Sequence, residues 1–363
     1  MLSLWRGLGK GTRRAVSLVV KALLTVGAFY LLLTHRLQDG GGGQITIWEA
    51  VRDNLGGVRL EVFVPFVISA TAIKFLGILC SMLRWHLLLI GQGIRFNFWH
   101  IVGAFLTGRF VGTFLPSTVG LDGYKLYDVA RFTDKVVEPA AATAVEKVMG
   151  LAGVFLTFLV ALPFGFGVLG DHAALTTMVT VPLALAIVVG LFSLLFRPGL
   201  VVWLLHRLPD VGRRRIHGFV DKVSTAAVAY RGKGRLLAVV GVLSFGVHFC
   251  TAAMYYFTAR AIGVAAAGFW LVTFASSIQI FATVMSPFTI AGEGVREIVQ
   301  ALLLAKHLGT AESVLSAALG FWAAEAMTLV GAVFLWTRGG SYRPRKVSVD
   351  NPVAREVHQS LPP

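Results

Sequence analysis

The chain has 363 residues, 56% of them hydrophobic and only 14% charged, with a mean hydropathy of +0.75. A water-soluble domain of this size needs far more polar surface, so the apolar excess must face lipid. Lys and Arg total 33 against 18 Asp and Glu, a net charge of +15; the basic residues fall in short segments between apolar runs, which points to an anionic cytoplasmic leaflet and excludes nucleic acid as the expected partner.

In chain order, Arg6, Lys10, Arg13 and Arg14 make residues 1–14 a basic, cytoplasmic N-terminus. The apolar run 15–34 is long enough to span and is followed by no small-x-small cleavage site, so it is predicted to be an uncleaved first helix. Residues 37–60 hold the glycines 40–43, read as a loop, and an amphipathic piece around 45–55. Further apolar runs occupy 61–83, 98–115, 148–166, 174–196, 236–262, 268–286 and 312–337. Cys80 and Cys250 lie within such runs and read as small core residues, with no disulfide framework and no thiolate metal site.

Charge sets the orientation. The segment 197–235 carries Arg197, Arg207, Arg213, Arg214, Arg215, Lys222, Arg231, Lys233 and Arg235 against Asp210 and Asp221, and is predicted to be cytoplasmic, lying on the membrane surface or forming an ordinary positive-inside loop. The tail 338–363, with Arg343, Arg345 and Lys346, belongs on the same side and reads as disordered. The connections near 167–173 and 263–267 have no Lys or Arg and face outward.

Loops at 84–97 and 116–147 both read as cytoplasmic, yet the single apolar run 98–115 separates them. A re-entrant hairpin, descending over 98–115 and returning through 116–131, resolves the conflict; 268–286 with 296–309 makes a second one from the opposite side. The predicted fold is therefore all-α and polytopic, with about six full spans and two re-entrant helical hairpins. It forms a single transmembrane domain over 15–337, with repeat halves near 61–196 and 236–337.

The two breaks share a pattern. Pro116, Thr118, Val119, Asp122, Gly123 and Lys125 are matched, at identical spacing, by Pro287, Thr289, Ile290, Glu293, Gly294 and Arg296. Opposed hairpins carrying one motif are what an inverted repeat produces, and such repeats hold substrate between discontinuous helices at mid-membrane. Proline ends the descending helix, glycine permits the turn, and the amides of the next helix start attract anions. Lys125 and Arg296 would then hold a phosphate together with those amides. Asp122 and Glu293 either cap the helix starts or meet substrate or a proton.

Ionisable groups at membrane depth are the remaining candidates. Glu325 and Lys74 lie well inside their runs, as a neutral pair or as a proton-coupling site. Glu146 and Glu297 would pair with Lys147, Arg296 or Arg109. His248 reads as a hydrogen-bonded core residue, and Ala104, Gly108 and Gly112 as a helix-packing stripe. No metal cluster and no cofactor motif is present in the sequence.

At these residues the chain resembles the transmembrane domain of the lysylphosphatidylglycerol synthase/flippase family. That family's first signature (proline, small polar residues, a glycine pair, aspartate, arginine) is met from Pro116 to Lys125, with Leu121 in place of the second glycine and Lys125 in place of arginine. Its acid–base pair is Glu146 and Lys147. Its glycine-rich third signature is Gly292, Glu293, Gly294, Val295, Arg296 and Glu297, with Glu293 where an apolar residue is usual. Arg84 and Trp85 stand at an Arg-Trp pair of the family, and the likeness runs over about 60–337.

The resemblance implies transfer of a lipid between leaflets; relatives handle aminoacylated phospholipids or are fused to glycosyltransferases acting on polyprenyl carriers. No soluble synthase domain is expected after the last helix, so a synthase activity is not expected either. The function expected is a flippase or carrier for a phosphate-bearing, anionic lipid in the cytoplasmic (inner) cell membrane, with both termini cytoplasmic. A membrane-embedded transferase on a polyprenyl phosphate and a non-catalytic subunit partnering envelope-synthesis enzymes are the alternatives.

Overall fold

The computed structural model describes residues 30–38, 44–113, 119–196, 225–285 and 294–338, with positions 19, 23, 26 and 27 of the first apolar run. The chain opens with a feature the all-α expectation did not contain: strands β1 (Arg36–Gln38) and β2 (Gln44–Thr46) pair antiparallel, Leu37 opposite Ile45. Three-residue strands are too short to leave a periodic trace in sequence. Thr46 then caps helix α1 (Ile47–Gly56): its hydroxyl accepts from the Glu49 amide at 3.2 Å, and the Glu49 carboxylate accepts from the Thr46 amide at 2.8 Å. This is the amphipathic piece foreseen near 45–55. Ile47 and Val51 are buried in a cluster with Leu32, Ala311 and Val314, while Trp48 and Leu55 stay exposed.

The other helices among the described residues are α2 (Leu60–Gly91), α3 (Phe98–Thr113), α4 (Val119–Thr133), α5 (Val137–Gly165), α6 (Ala173–Phe196), α7 (Gly234–Ala261), α8 (Phe269–Met285), α9 (Val295–Leu308) and α10 (Thr310–Arg338). A 3-10 turn, Phe166–His172, joins α5 to α6. Among the described residues, five stretches are long and apolar enough to cross a bilayer: Leu60–Gly91, Val137–Gly170, Thr177–Phe196, Gly234–Ala261 and Thr310–Thr337. Their outward faces carry exposed apolar side chains such as Ile68, Val179, Val189, Val242, Leu329 and Trp336. In water these would be a liability; in a bilayer they meet hydrocarbon.

Part of what was expected to be loop is helical: Arg84, placed in the loop 84–97, sits on α2, which runs on to Gly91, and Lys147 sits on α5, which begins at Val137, ahead of the apolar run 148–166. Lys125 and Arg131 sit on α4, where a returning helix was expected. Helix continues past the apolar runs because Arg84 meets Glu146, and Lys147 meets Asp122, rather than lipid. The basic segment 197–235 is described only from residue 225, and the tail 339–363 lies outside the described residues, as does most of the first span.

At 16 and 17 residues, α3 and α8 are too short to cross alone, covering roughly 25 Å at 1.5 Å per residue. Each instead packs on the helix that follows it. For α3 and α4 the pairing is antiparallel: Phe96 meets Phe132, His100 Nε2 lies 2.7 Å from Asp128 Oδ2, and Gly108 and Gly112 face Leu121. A Cβ on Gly112 would lie 3.0 Å from the Leu121 backbone nitrogen, so the small-residue stripe does what spacing suggested. In the second pair, Val272 and Ala275 of α8 share a buried cluster with Leu304 and Leu308 of α9.

The two pairs open from opposite ends of the molecule. The base of α3/α4 lies beside residues 225–234, where the Tyr230 hydroxyl donates to Leu88 O at 2.8 Å and Lys233 Nζ donates to Gly91 O at 2.5 Å. Burial raises the Tyr230 phenol well above its ordinary pKa. The base of α8/α9 lies at the other end: Trp270 stacks on Phe164 at the close of α5, and Leu308 shares a cluster with Ala267.

Candidate functional site

Charged side chains gather at two depths. The first group sits about 10–14 Å from the end bearing residues 225–234, counted along α2, α4 and α5 at 1.5 Å per residue. There Glu146 of α5 accepts from Arg84 of α2 at 2.9 Å and from Lys125 of α4 at 2.7 Å. Arg84 also donates to Ser244 Oγ of α7 at 3.2 Å. Lys125 is 3.2 Å from Asp122, one turn earlier, and Asp122 meets Lys147 at 2.5 Å. The Lys125 ammonium stands 4.5 Å above the Trp85 ring, and its side chain is 1% exposed. Such a network is stable because each buried charge has an opposite partner in hydrogen-bonding contact.

The second group lies near mid-depth. Lys74 and Glu325 sit near the centres of α2 and α10, Arg109 toward the inner end of α3, and Arg296 in the first turn of α9. Arg109 donates to Glu325 Oε1 at 3.3 Å and to the Ala324 carbonyl at 3.1 Å, and Thr328 donates to the other Glu325 oxygen at 2.5 Å. Lys74 donates to Thr251 of α7 at 3.0 Å and lies within electrostatic range of Arg109, Glu325 and Arg296. Glu325 therefore pairs with Arg109 rather than with Lys74.

Arg296 is oriented locally. Gly294 turns the chain with φ 81°, a conformation open to glycine, and its amide donates to Glu297 Oε2 at 2.8 Å. The second Glu297 oxygen accepts from Arg296 Nε at 2.9 Å, and the guanidinium lies 4.8 Å over the Phe321 ring. Around it Tyr255, Gln279, Gln300 and Ser316 form a polar interior, in which Ser276 Oγ and Oε1 of Gln279 and Gln300 are buried and have no hydrogen-bond partner among the described residues.

A family profile described as the lysylphosphatidylglycerol synthase TM region matches residues 18–332, from the first apolar run to within α10. The chain belongs to that family. Comparison with curated proteins finds no match. Membership in the lysylphosphatidylglycerol synthase TM family places the chain among multi-pass membrane proteins with a lipid-related function.

Of the residues the sequence singled out, the fold brings Asp122, Lys125, Glu146 and Lys147 into one network, and Lys74, Arg109, Arg296 and Glu325 into another, with Glu297 holding Arg296. Glu297 takes Arg296, one of its expected partners, whereas Glu146 takes Arg84 and Lys125, not the adjacent Lys147. Pro116, Thr118, Pro287, Thr289, Gly292 and Glu293 lie outside the described residues. His248 packs against Gly150 and Gly153 of α5. Sequence reasoning did not count Arg84 and Trp85 as site residues, although the Arg-Trp likeness to this family marked them.

Proposed function

We propose that the chain carries a phosphate-bearing lipid headgroup between leaflets, holding it at mid-depth on Arg296, Arg109 and Lys74. The observation that carries this reading is a gathering of cations: Lys74 of α2, Arg109 of α3 and Arg296 of α9 come together at mid-depth, with Glu325 and Glu297 beside them. Like charges brought together at that depth repel one another, and a phosphate is the natural ligand to bridge them.

In this reading α3/α4 and α8/α9 are re-entrant hairpins of opposite sense and form an inverted repeat, and the end bearing residues 225–234 is cytoplasmic. The headgroup passes from one hairpin to the other while its chains stay in lipid. Lys125 anchors α4 in the conformation described; it meets phosphate after leaving Glu146 and Asp122. The helix start at Gly294, with Arg296 beside it, supplies amides and a guanidinium to the anion. Glu325 keeps Arg109 aimed while the site is empty and gives it up as phosphate binds.

The test is leaflet transfer of fluorescent phospholipids in proteoliposomes, comparing the wild type with Arg296→Ala, Arg109→Ala and Lys125→Ala. Transfer that falls at least roughly tenfold in folded Arg296→Ala supports the carrier, as one charge-assisted contact predicts. No transfer by the wild type across phospholipids and polyprenyl phosphates would favour the transferase or assembly-subunit alternatives. Single cysteines at Ser117 and Ala291 should label from opposite sides; labelling of both from one side would refute the opposed hairpins.

A further inference from the structure

The interior between α7, α8, α9 and α10 holds polar side chains that neither charge network uses. Ser276 and Gln279 lie one turn apart on α8, Gln300 stands one turn beyond Arg296 on α9, and none of the three is more than 1% exposed. Tyr255 of α7 interacts with both Gln279 and Arg296, so these groups share one interior. Both carboxamides are held by their nitrogens. Gln279 Nε2 donates to Thr283 Oγ1 at 3.0 Å, while the Thr283 hydroxyl donates to the Gln279 carbonyl at 2.8 Å. Gln300 Nε2 donates to Ser316 Oγ at 3.4 Å, and the Ser316 hydroxyl donates to the Tyr255 carbonyl at 3.2 Å. Each hydroxyl proton is thus taken, and Oε1 of Gln279, Oε1 of Gln300 and Ser276 Oγ have no hydrogen-bond partner among the described residues. Unmet polar atoms at membrane depth are costly. The hairpin fold does not call for them. Counted from the shared break motif, Ser276, Gln279 and Gln300 correspond to Phe105, Gly108 and Val129, where α3 and α4 pack through apolar or small residues.

We infer that Ser276, Gln279 and Gln300 read hydroxyl groups on the headgroup whose phosphate Arg296 takes, so the lipid is a phosphodiester bearing a neutral polyol, glycerol or sugar. A carboxamide oxygen only accepts, and so do the oxygens of a bare phosphate; a hydroxyl supplies the missing donor. An ammonium would donate too, but Lys74 and Arg296 lie around the same interior and repel it. All three side chains are closed off in the conformation described, and the polyol meets them as α8 and α9 part. The place of the phosphate rests on the proposed carrier reading; the preference for a polyol is measured without transport.

The full chain in mild detergent is given equimolar lipid pairs, and the lipid retained is counted by native mass spectrometry. One pair is phosphatidylglycerol and phosphatidylmethanol with the same acyl chains; the other is a hexosyl polyprenyl phosphate and the methyl ester of that polyprenyl phosphate. The members of each pair have equal charge and differ in the hydroxyls. The wild type should retain the polyol member at least roughly tenfold better in one pair, because buried acceptors left unpaired reject the analogue, and that pair tells glycerol from sugar. Gln279→Leu and Gln300→Leu should each lower the preference several-fold and leave retention of the methyl ester unchanged. Arg296→Ala should lower retention of both members alike. Equal retention within both pairs by the wild type, which needs no variant to fold, would overturn the inference. A preference unchanged in both leucine variants, or tighter retention of phosphatidylethanolamine than of phosphatidylglycerol, would overturn it as well. A chain that prefers the polyol but moves no lipid keeps this site and loses the carrier function; transfer without the preference does the reverse.

Discussion

Glu146→Gln is the substitution that asks most of the first charge network. The carboxylate accepts from Lys125 and Arg84 at 2.7 and 2.9 Å, and its side chain is 5% exposed. Removing one partner of a buried pair commonly costs about 3–5 kcal/mol. Here Lys125 keeps Asp122 at 3.2 Å and Arg84 keeps Ser244 at 3.2 Å. In a membrane the unfolded reference also finds partners, which lowers the figure further. A loss of about 2–3 kcal/mol is expected, on the order of 30- to 150-fold in the folded-to-unfolded ratio. The assay is reversible unfolding in mixed micelles of a mild detergent and dodecyl sulfate. Lys125→Met should show a similar loss, since it strands Glu146 with Arg84 alone. The double variant should recover at least ~1.5 kcal/mol of the summed losses, as directly coupled residues do. Losses that simply add, or single variants within ~0.5 kcal/mol of wild type, would refute the network as the element that fixes α4 on α2 and α5.

Three further outcomes follow from the packing. Gly331→Ala should destabilise by about 1–3 kcal/mol in the same micelles, because its Cβ would run into the Leu106 carbonyl oxygen of α3 and that backbone cannot yield cheaply; a neutral result would refute the close approach of α3 and α10. Glu325→Gln should abolish any pH dependence of lipid transfer if Glu325 carries a proton, and an unchanged profile would leave it the counter-ion of Arg109. The Thr46 amide and hydroxyl hold the Glu49 carboxyl below its ordinary pKa of 4.5. A lowered folded value means the cap is fully made above that pH and lost as pH falls through the lowered value. Protection of the α1 amides, taken against the intrinsic exchange rate at each pH, should therefore fall at acid pH in the wild type and show no such change in Glu49→Gln.

The long helices were legible because an apolar run of about 20 residues has few other fates. Their ends were not. The runs 61–83 and 148–166 became α2 at Leu60–Gly91 and α5 at Val137–Gly165. Hydropathy stops at Arg84 and begins only after Lys147, and it cannot register that Arg84 and Glu146 neutralise each other. Short strands beside glycines left no usable period, so the β1–β2 hairpin was missed. The break motif put Arg296 and Lys125 on the page, yet the partners of Arg109 and Lys125 lie on helices far along the chain, where no spacing rule reaches.

One motif in two hairpins has thus been given unequal chemistry. Lys125 faces two carboxylates on different helices and an aromatic ring, so its charge is spent on holding α4. Arg296 shares a carboxylate that is also bound by the Gly294 amide, and Lys74 lies within electrostatic range of both Arg296 and Arg109. A repeat with equal sites would bind an anion equally at both breaks. In the proposed carrier the α8/α9 side would take the anion first, and the α3/α4 side only when Glu146 lets Lys125 go. That would give transport an order: the headgroup would rest at Arg296, and rearrangement of the network around Glu146 would decide when it moves on.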